Sequence, residues 1–286
     1  MEQKERYVDV RDTRLFVVER GTGFPLVVLH GGPGLDHHEF ADYLDPLTDH
    51  YRLVLVDQRA QGRSDEAPPE TWTIKQMAAD VNALGDALGY GPYAVLGHSY
   101  GGFVALQHAV DFTGEPAGTI VSCGLPSARF LDGVTDALAA FEPVELRQQV
   151  AASWEAEEGV ETPEDVKKLL DDQMPFHFAD PRDPRISDYA ARTSQMEPAP
   201  DVLRHFATRA YGGIEVEAAL PTVAHPVLVL AGRHDRAIPV EGAHAIADGI
   251  PGSELMIFEH SAHVPFAEEQ DRYLEVVRDF LDRVRR

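Results

Sequence analysis

Residues 93–110 read YAVLGHSYGGFVALQHAV. The first part is a short apolar run typical of a buried strand, and the second carries apolar residues three and four positions apart, as a helix does. Between them lies GHSYG at 97–101, a G-x-S-x-G pattern in the strand-to-helix setting that it requires. Glycine at 97 and 101 leaves room for a sharp turn that exposes the serine. We therefore predict that Ser99 is a nucleophile.

The same alternation of strand-like and helical segments extends outward from this turn. The apolar, β-branched runs are RLFVVER (14–20), PLVVLH (25–30), YRLVLVDQ (51–58), AGTIVSCG (117–124), HPVLVLAGRHD (225–235) and SELMIFEH (253–260). The segments with helical periodicity are HEFADYLDPL (38–47), TIKQMAADVNALGDALG (73–89), EGAHAIADGI (241–250) and EEQDRYLEVVRDFLDRV (268–284). Strands that alternate with helices predict an α/β fold with a mostly parallel sheet and helices on both faces.

The alternation breaks between residues 125 and 215. Strand-like runs vanish there, acidic helical stretches such as TPEDVKKLLDDQM (162–174) replace them, and prolines cluster in FADPRDPR (178–185). We interpret this segment as an inserted helical cap. The predicted domains are a core of residues 1–124 and 216–286 and a cap of residues 125–215.

Charge and cysteine content limit the class of protein. The chain has 25 Lys and Arg against 48 Asp and Glu, a formal net charge of −23. This excess argues against nucleic acid and anionic membrane surfaces as partners. The single cysteine, Cys123, excludes an intrachain disulfide, and MEQKERYVDV at the N-terminus lacks the apolar stretch of a signal peptide. We expect a cytoplasmic protein with a buried, structural thiol.

A serine nucleophile needs a base and a group that orients the base. In folds with this turn, the partners follow in the order Ser, Asp or Glu, His. Asp235 and His263 satisfy the order. Asp235 lies just past the strand-like stretch HPVLVLAG (225–232), and His263 lies just past SELMIFEH (253–260). His260 is the local rival of His263, but it is still attached to the strand end, so we favour His263. We thus predict a triad of Ser99, Asp235 and His263.

An acyl-transfer site also needs hydrogen-bond donors for the oxyanion. The glycine-rich stretch HGGPG at 30–34 follows a strand and can turn its amides inward. We assign the donors to the backbone amides of Gly32 and Tyr100. The polar loop DQRAQGRS at 57–64 is interpreted as a scaffold. The other histidines lack metal-type spacing, so no metal and no cofactor are expected.

Taken together, HGGPG, DQRAQGRS, GHSYGG at 97–102, GRHDRAIP at 232–239 and SAHVPFAEE at 261–269 resemble the proline iminopeptidase group of α/β-hydrolases. The resemblance implies an α/β-hydrolase fold, the same triad, and release of an N-terminal residue, often proline, from peptides or amides. The chain departs from the group's usual GGSWG at 98 and 100, and it has Ala60 where glycine is usual.

In that group, glutamates of the cap hold the amino group of the substrate. The resemblance carries this role to Glu155, which follows Trp154, and leaves a second such glutamate unassigned. A buried carboxylate suits the task because opposite charges attract more strongly in a partly dry pocket than in water. Glu142, Glu145, Glu157, Glu158 and Glu197 are alternatives, for each of which a solvated helix face is the competing interpretation. The cap aromatic residues fit either a pocket wall or packing within the cap.

Two enzyme functions and one binding function remain open. The first is an aminopeptidase or amidase that acts on small peptides or amides with a free amine. The second is a carboxylesterase or lactonase, since the same residues cleave esters more easily than amides. A ligand-binding protein without activity is disfavoured by the complete set of catalytic residues. Dehalogenase or epoxide hydrolase chemistry is disfavoured because those relatives carry aspartate where this chain has Ser99.

Overall fold

The apolar runs of the sequence form one eight-stranded sheet. The computed structural model describes residues 3–286, so Met1 and Glu2, the first residues of the predicted core, lie outside the described residues. The strand order is β1-β2-β4-β3-β5-β6-β7-β8, antiparallel at β1-β2 and β2-β4 and parallel elsewhere. The strands are β1 Gln3–Val10, β2 Thr13–Arg20, β3 Phe24–Leu29, β4 Tyr51–Val56, β5 Ala94–His98, β6 Gly118–Ser122, β7 Val227–Gly232 and β8 Glu254–Phe258.

Ten α-helices accompany the sheet along residues 3–286. They are α1 Ile74–Leu88, α2 Tyr100–Asp111, α3 Val134–Ala139, α4 Val144–Ala156, α5 Pro163–His177, α6 Arg185–Arg192, α7 Pro200–Ala207, α8 Val240–Gly249, α9 Pro265–Glu268 and α10 Gln270–Val284. In this described part of the chain, no helix is long and apolar enough to cross a membrane.

Both faces of the sheet are covered by helices. Successive side chains of a strand point to opposite faces, so Val17 belongs to one hydrophobic cluster and Val18 to the other. Helices α1, α2 and α8 supply side chains to the first cluster, and α10 supplies side chains to the second. The predicted α/β fold, with a mostly parallel sheet between two helical layers, is confirmed.

Local sequence signals set both ends of α1. The side chain of Thr73 accepts a hydrogen bond from the amide of Gln76, and Gly89 ends the helix in a left-handed conformation. The helix predicted over 38–47 is wrong, because the structure has two short 3₁₀ helices there, His37–Phe40 and Asp45–Asp49. Ala41, at φ 43°, ends the first, and the proline at 46 starts the second. The apolar spacing that suggested one helix is therefore divided between two short turns.

Strand β1 was not among the sequence predictions. It forms a hairpin with β2, and only Val8 and Val10 of its side chains are buried. The remaining positions are polar or exposed, so the strand carries no continuous apolar run. Its signal was the alternation of Tyr-Val-Asp-Val at 7–10, which is short for a prediction of this kind.

The chain between β6 and β7 is helical and covers the carboxyl ends of the strands. Helices α3 to α7 fall in this stretch, and its described residues contain no strand apart from one isolated bridge between Ser127 and Glu215. That bridge lies close to both ends of the predicted cap. The boundaries 125–215 themselves stay a prediction.

Candidate active site

Ser99 stands at the tip of the turn between β5 and α2. Its backbone has φ 54° and ψ −121°, outside the regions that most residues adopt. The turn brings segments so close that a Cβ on Gly97 would lie 2.0 Å from the carbonyl oxygen of Gly101. The amide of Ser99 donates to the carbonyl of Ser122 at 2.9 Å, which fixes the turn to the neighbouring strand. Glycine at these positions is therefore a steric requirement of the serine's placement.

The loops after β7 and β8 bring a carboxylate and an imidazole to this serine. Nε2 of His263 lies 2.9 Å from Oγ of Ser99, and Nδ1 lies 2.7 Å from Oδ2 of Asp235. The other oxygen of Asp235 accepts from the amides of Ala237 and Ile238 at 3.0 and 2.9 Å. Asp235 is thereby fixed by its own loop. All three predicted triad residues meet in one hydrogen-bonded chain.

The acidic groups around His263 raise its pKa by more than burial lowers it. Burial lowers the pKa of His263, but the Asp235 carboxylate outweighs it and raises that pKa above the ordinary 6.5. The rings of His98 and His177 lie on either side, with centroids 5.0 and 4.9 Å from that of His263. Burial holds the pKa of both well below 6.5, so both are neutral. His260, the rival of His263, is exposed to solvent.

The loop after β3 faces the serine with a free backbone amide. Gly32 has φ +105°, and Gly32, Tyr100 and Ser99 line the same cavity. Within residues 3–286, the backbone N–H of neither Gly32 nor Tyr100 donates a hydrogen bond. Tyr100 is also the first residue of α2, where the helix dipole favours negative charge. Two unengaged donors beside a serine hydroxyl suit an oxyanion.

The cavity that joins these groups has a volume of about 1020 Å³. Its floor comes from the core, and its walls come from helices α3 to α7 and neighbouring turns. Of the cap aromatic residues, Trp154, Tyr189 and Tyr211 line it. Phe176, Phe178 and Phe206 do not line it and are fully buried. Both sequence interpretations of these residues thus hold, each for a different subset.

Comparison with known proteins identifies the family. Residues 25–270 match the family described as alpha/beta hydrolase fold. The chain belongs to the α/β-hydrolase fold family. A proline iminopeptidase of Saccharolobus solfataricus is 31% identical to this hydrolase over 278 residues, covering 93% of this chain and 87% of that protein. The predicted resemblance to proline iminopeptidases is confirmed.

Solved structures agree with the α/β-hydrolase fold. An alpha/beta fold family hydrolase from Bacillus anthracis superposes with a TM-score of 0.81 at 24% identity, covering 97% of this chain and 99% of that chain. The crystal structure of a proline iminopeptidase from Mycobacterium smegmatis superposes with a TM-score of 0.76 at 25% identity, covering 98% of both chains.

Carboxylates line the cavity of this hydrolase in two different settings. Glu155 lies on its wall, but its side chain is exposed. Glu157 is only 5% exposed and accepts hydrogen bonds from Nε2 of Gln173, at 2.8 Å, and from the hydroxyl of Tyr211. Burial raises the pKa of Glu157. Sequence analysis named Glu157 only as an alternative, since its burial depends on how the cap helices pack.

Glu39 is a second buried carboxylate of the cavity, and it was not predicted. It lies in the 3₁₀ turn His37–Phe40 of the core and is 5% exposed. Its Oε2 accepts from the amide of Gly31 at 2.5 Å. Burial raises the pKa of Glu39 to about 7. Neither Glu39 nor Glu157 pairs with a lysine or arginine among the described residues.

The end of α5 is tied to both loops that carry Asp235 and His263. The guanidinium of Arg236 donates to the carbonyls of Phe176, Phe178 and Ala179 at 2.8–3.1 Å. The amide of His263 donates to the carbonyl of His177 at 2.9 Å. Sequence analysis missed Arg236, although it directly follows Asp235.

The loop DQRAQGRS forms the contacts of a scaffold. Asp57 accepts hydrogen bonds from the amides of His37 and Arg63, and Gln61 accepts one from Gly34 at 2.6 Å. The buried guanidinium of Arg59 binds both oxygens of Asp80 at 2.7 and 2.8 Å. The bond to Gly34 holds the glycine-rich loop directly, and no residue of 57–64 lines the cavity.

Two clusters bring potential metal ligands together, and in both the ligand atoms are engaged. Asp36, His37 and His38 have donor atoms within 4.8 Å of one another, but Nδ1 of His37 contacts Asp57 at 2.6 Å. Cys123 lies in the second cluster beside Asp235 and His263. Burial holds the pKa of the Cys123 thiol well above 9.0, so the sulfur is protonated and a poor metal ligand. The chemistry of both sets is better explained by protein hydrogen bonding.

Proposed function

We propose that this hydrolase acts through an acyl-enzyme on Ser99. His263 would accept the hydroxyl proton as Oγ attacks the substrate carbonyl, and Asp235 would hold the imidazole in the required orientation. The amides of Gly32 and Tyr100 would stabilise the oxyanion of the tetrahedral intermediate. The chain of contacts from Ser99 to Asp235 supports these roles.

The two halves of the reaction use the same groups in reverse order. His263 returns its proton to the leaving amine or alcohol as the scissile bond breaks, which leaves an ester on Ser99. It then takes a proton from water as the water attacks that ester. Collapse of the second intermediate releases the acid and returns the proton to Ser99. No cofactor is needed for either half.

The substrate class proposed is a small peptide or amide with a free N-terminal amine, as in proline iminopeptidases. The observation that carries this proposal is Glu157, a desolvated carboxylate that lines the cavity without a cationic partner. A buried charge is costly unless it is paired, and a substrate ammonium would supply the pair. Glu155 lies on the same wall and remains a second candidate for this contact.

A carboxylesterase or lactonase is the alternative. Its supporting observation is the largely apolar wall of the cavity, which includes Leu131, Val134 and Leu138 from the cap. Such a wall suits the acyl chain of an ester that has no amine. The carboxylates of Glu155 and Glu157 would lower the affinity for such a substrate, so the aminopeptidase function is preferred.

A substrate panel tests the choice. We expect kcat/KM for prolyl and other aminoacyl arylamides to exceed that for their N-acetylated forms by about 10-fold or more, the contribution of a charge-assisted hydrogen bond. Equal turnover of free and N-acetylated substrates would remove the aminopeptidase assignment and favour the esterase.

Two variants test whether Glu157 causes the preference for the free amine. Glu157→Gln is expected to lower the preference for the free amine. Glu158→Gln removes the same charge from the exposed neighbouring residue and is expected to keep that preference. Equal effects of both substitutions would point to the net charge of the chain rather than to a contact.

A further inference from the structure

Glu39 lies close to the nucleophile on the core side of the cavity. A Cβ built on Gly31 would lie 2.7 Å from Oε1 of Glu39 and 3.0 Å from Cβ of Ser99. The carboxylate and the serine thus close in on the same glycine, which leaves no room for a side chain there, and both residues line the cavity. Any side chain at residue 31 would separate the two.

One oxygen of this carboxylate is available to a ligand. Oε2 is held by the amide of Gly31, whereas Oε1 accepts no hydrogen bond from any residue between 3 and 286. The charged groups facing it are Asp36, which is also acidic, and His263, which must be neutral to act as a base. Of these two groups only His263 can carry a positive charge, and catalysis needs its neutral form.

We propose that Glu39 binds the ammonium group of the substrate from the core side, as the second carboxylate of the amine site. This inference rests on the proposed function, and it names the position of the amine. An amine on the carbon next to the scissile carbonyl lies near Ser99 once the carbonyl oxygen reaches Gly32 and Tyr100. Glu39 stands beside that point, so it selects substrates with an α-amine over those whose amine lies farther away.

A purely supporting role for Glu39 makes a different prediction. If Glu39 only holds the Gly31 amide, its loss displaces the loop that carries Gly32. The oxyanion would then be stabilised less well for every substrate, with or without an amine. The two roles are therefore separated by the ratio of kcat/KM for an amine substrate to kcat/KM for an ester that lacks the amine.

The experiment uses the full chain and the variant Glu39→Gln, with an aminoacyl arylamide and a simple 4-nitrophenyl acyl ester as the probes. The Gln side chain can still accept from the Gly31 amide, so the substitution removes mainly the charge. We expect the amine-to-ester ratio to fall about 10- to 100-fold, the range of one charge-assisted hydrogen bond. Asp49→Asn, which removes an exposed carboxylate from the surface, is the matched control and should keep the wild-type ratio.

Labelling of Ser99 by a fluorophosphonate that lacks an amine verifies that Glu39→Gln keeps a folded site. Glu39→Asp, which retains the charge, is a second variant and is expected to recover most of the ratio. An equal loss on both substrates, or no loss on either, would overturn the role of Glu39. A wild-type enzyme that shows no preference for the free amine would overturn the proposed function itself, and with it this inference.

Discussion

Ser99 adopts a backbone conformation that costs free energy, on the order of 1–3 kcal/mol for a non-glycine residue with positive φ. Three hydrogen bonds offset this cost. Its amide donates to Ser122, and its carbonyl accepts from Gly102 and Phe103 at 2.8 and 3.2 Å. Because neighbours rather than the serine impose the conformation, the surrounding glycines reveal it in the sequence.

Asp235 should control the pH dependence of the reaction. The general base acts when neutral, so kcat/KM should rise as pH increases through the pKa of His263, which lies above 6.5. Asp235→Asn removes the main group that opposes burial, and only Glu39 and Glu268 still raise that pKa, so the pKa should fall and the acid limb should move to lower pH. We also expect kcat to fall roughly 1,000-fold or more, because the imidazole loses its orienting acceptor.

The pH–rate profile of ester hydrolysis measures this effect. Asp248→Asn, at an exposed position in α8, is the control and should leave the profile in place. An acid limb that stays where it is in Asp235→Asn would show that Asp235 does not set the pKa of the base.

Sequence analysis predicted those site residues whose signals lie in short stretches of sequence. Ser99 and Gly32 lie in short motifs next to strands, and the loops after β7 and β8 follow from strand order. Glu39 and Glu157 carry no such signal, because acidic residues on short helices are usually solvated. Their burial arises from tertiary packing, with Glu39 bonded to the core and Glu157 bonded within the cap, and no spacing in the sequence encodes those contacts.

The segment 176–179, at the end of α5, joins the cap to the loops that follow β7 and β8. Arg236 binds three of its carbonyls, and Glu268 accepts from the amides of Ala179 and Ala262 at 2.8 and 2.7 Å. The last carbonyls of a helix need such partners. The position of the cap and the position of His263 are therefore set by one network.

Arg236→Met should loosen this connection. We expect a loss of about 1–3 kcal/mol in the free energy of unfolding, since buried carbonyls lose their donors. Amide hydrogen exchange at 176–179 should accelerate, and kcat/KM should fall with it. Arg233→Met, which removes an exposed ion pair with Glu259, is the comparison and should leave the free energy of unfolding nearly unchanged. Unchanged exchange in Arg236→Met would contradict the anchoring role.

Some helices and strands can be predicted from the sequence more completely than others. The parallel strands β3 to β7 are continuous apolar runs because both of their faces are buried. Strand β1 lies at the edge of the sheet and is mostly exposed, so its polar residues hide it. The segment 38–47 has helical spacing, but a proline and the conformation of Ala41 divide it. Tertiary position and backbone detail therefore limit the prediction.

The molecule as a whole is strongly acidic, and part of that acidity is buried. A net charge of −23 attracts cationic substrates at long range, which agrees with the proposal that the substrate carries an amine. Burial raises the pKa of both Glu39 and Glu268 to about 7 from 4.5. For both groups the folded state binds the proton more tightly than the unfolded chain does, so stability should decline as pH rises from 4.5 to 7.

Glu39→Gln should remove one part of this decline. The amide is neutral at every pH, so the variant and the wild type should be similarly stable near pH 4. Above pH 7 the variant should be more stable by up to about 3 kcal/mol, the linkage free energy of a shift of this size. Urea unfolding across this pH range, with Asp49→Asn as the control, measures the difference. Parallel curves for Glu39→Gln and wild type would show that Glu39 is not destabilised by burial.

The central claim is that Ser99 becomes acylated during turnover. Intact mass and peptide mapping after treatment with a fluorophosphonate test it most directly, because the probe reacts with an activated serine. We predict one adduct on Ser99 in the wild type and in Ser153→Ala, whose serine is buried in the cap, and no adduct in Ser99→Ala. No labelling of the folded wild type, or labelling that persists in Ser99→Ala, would contradict the account.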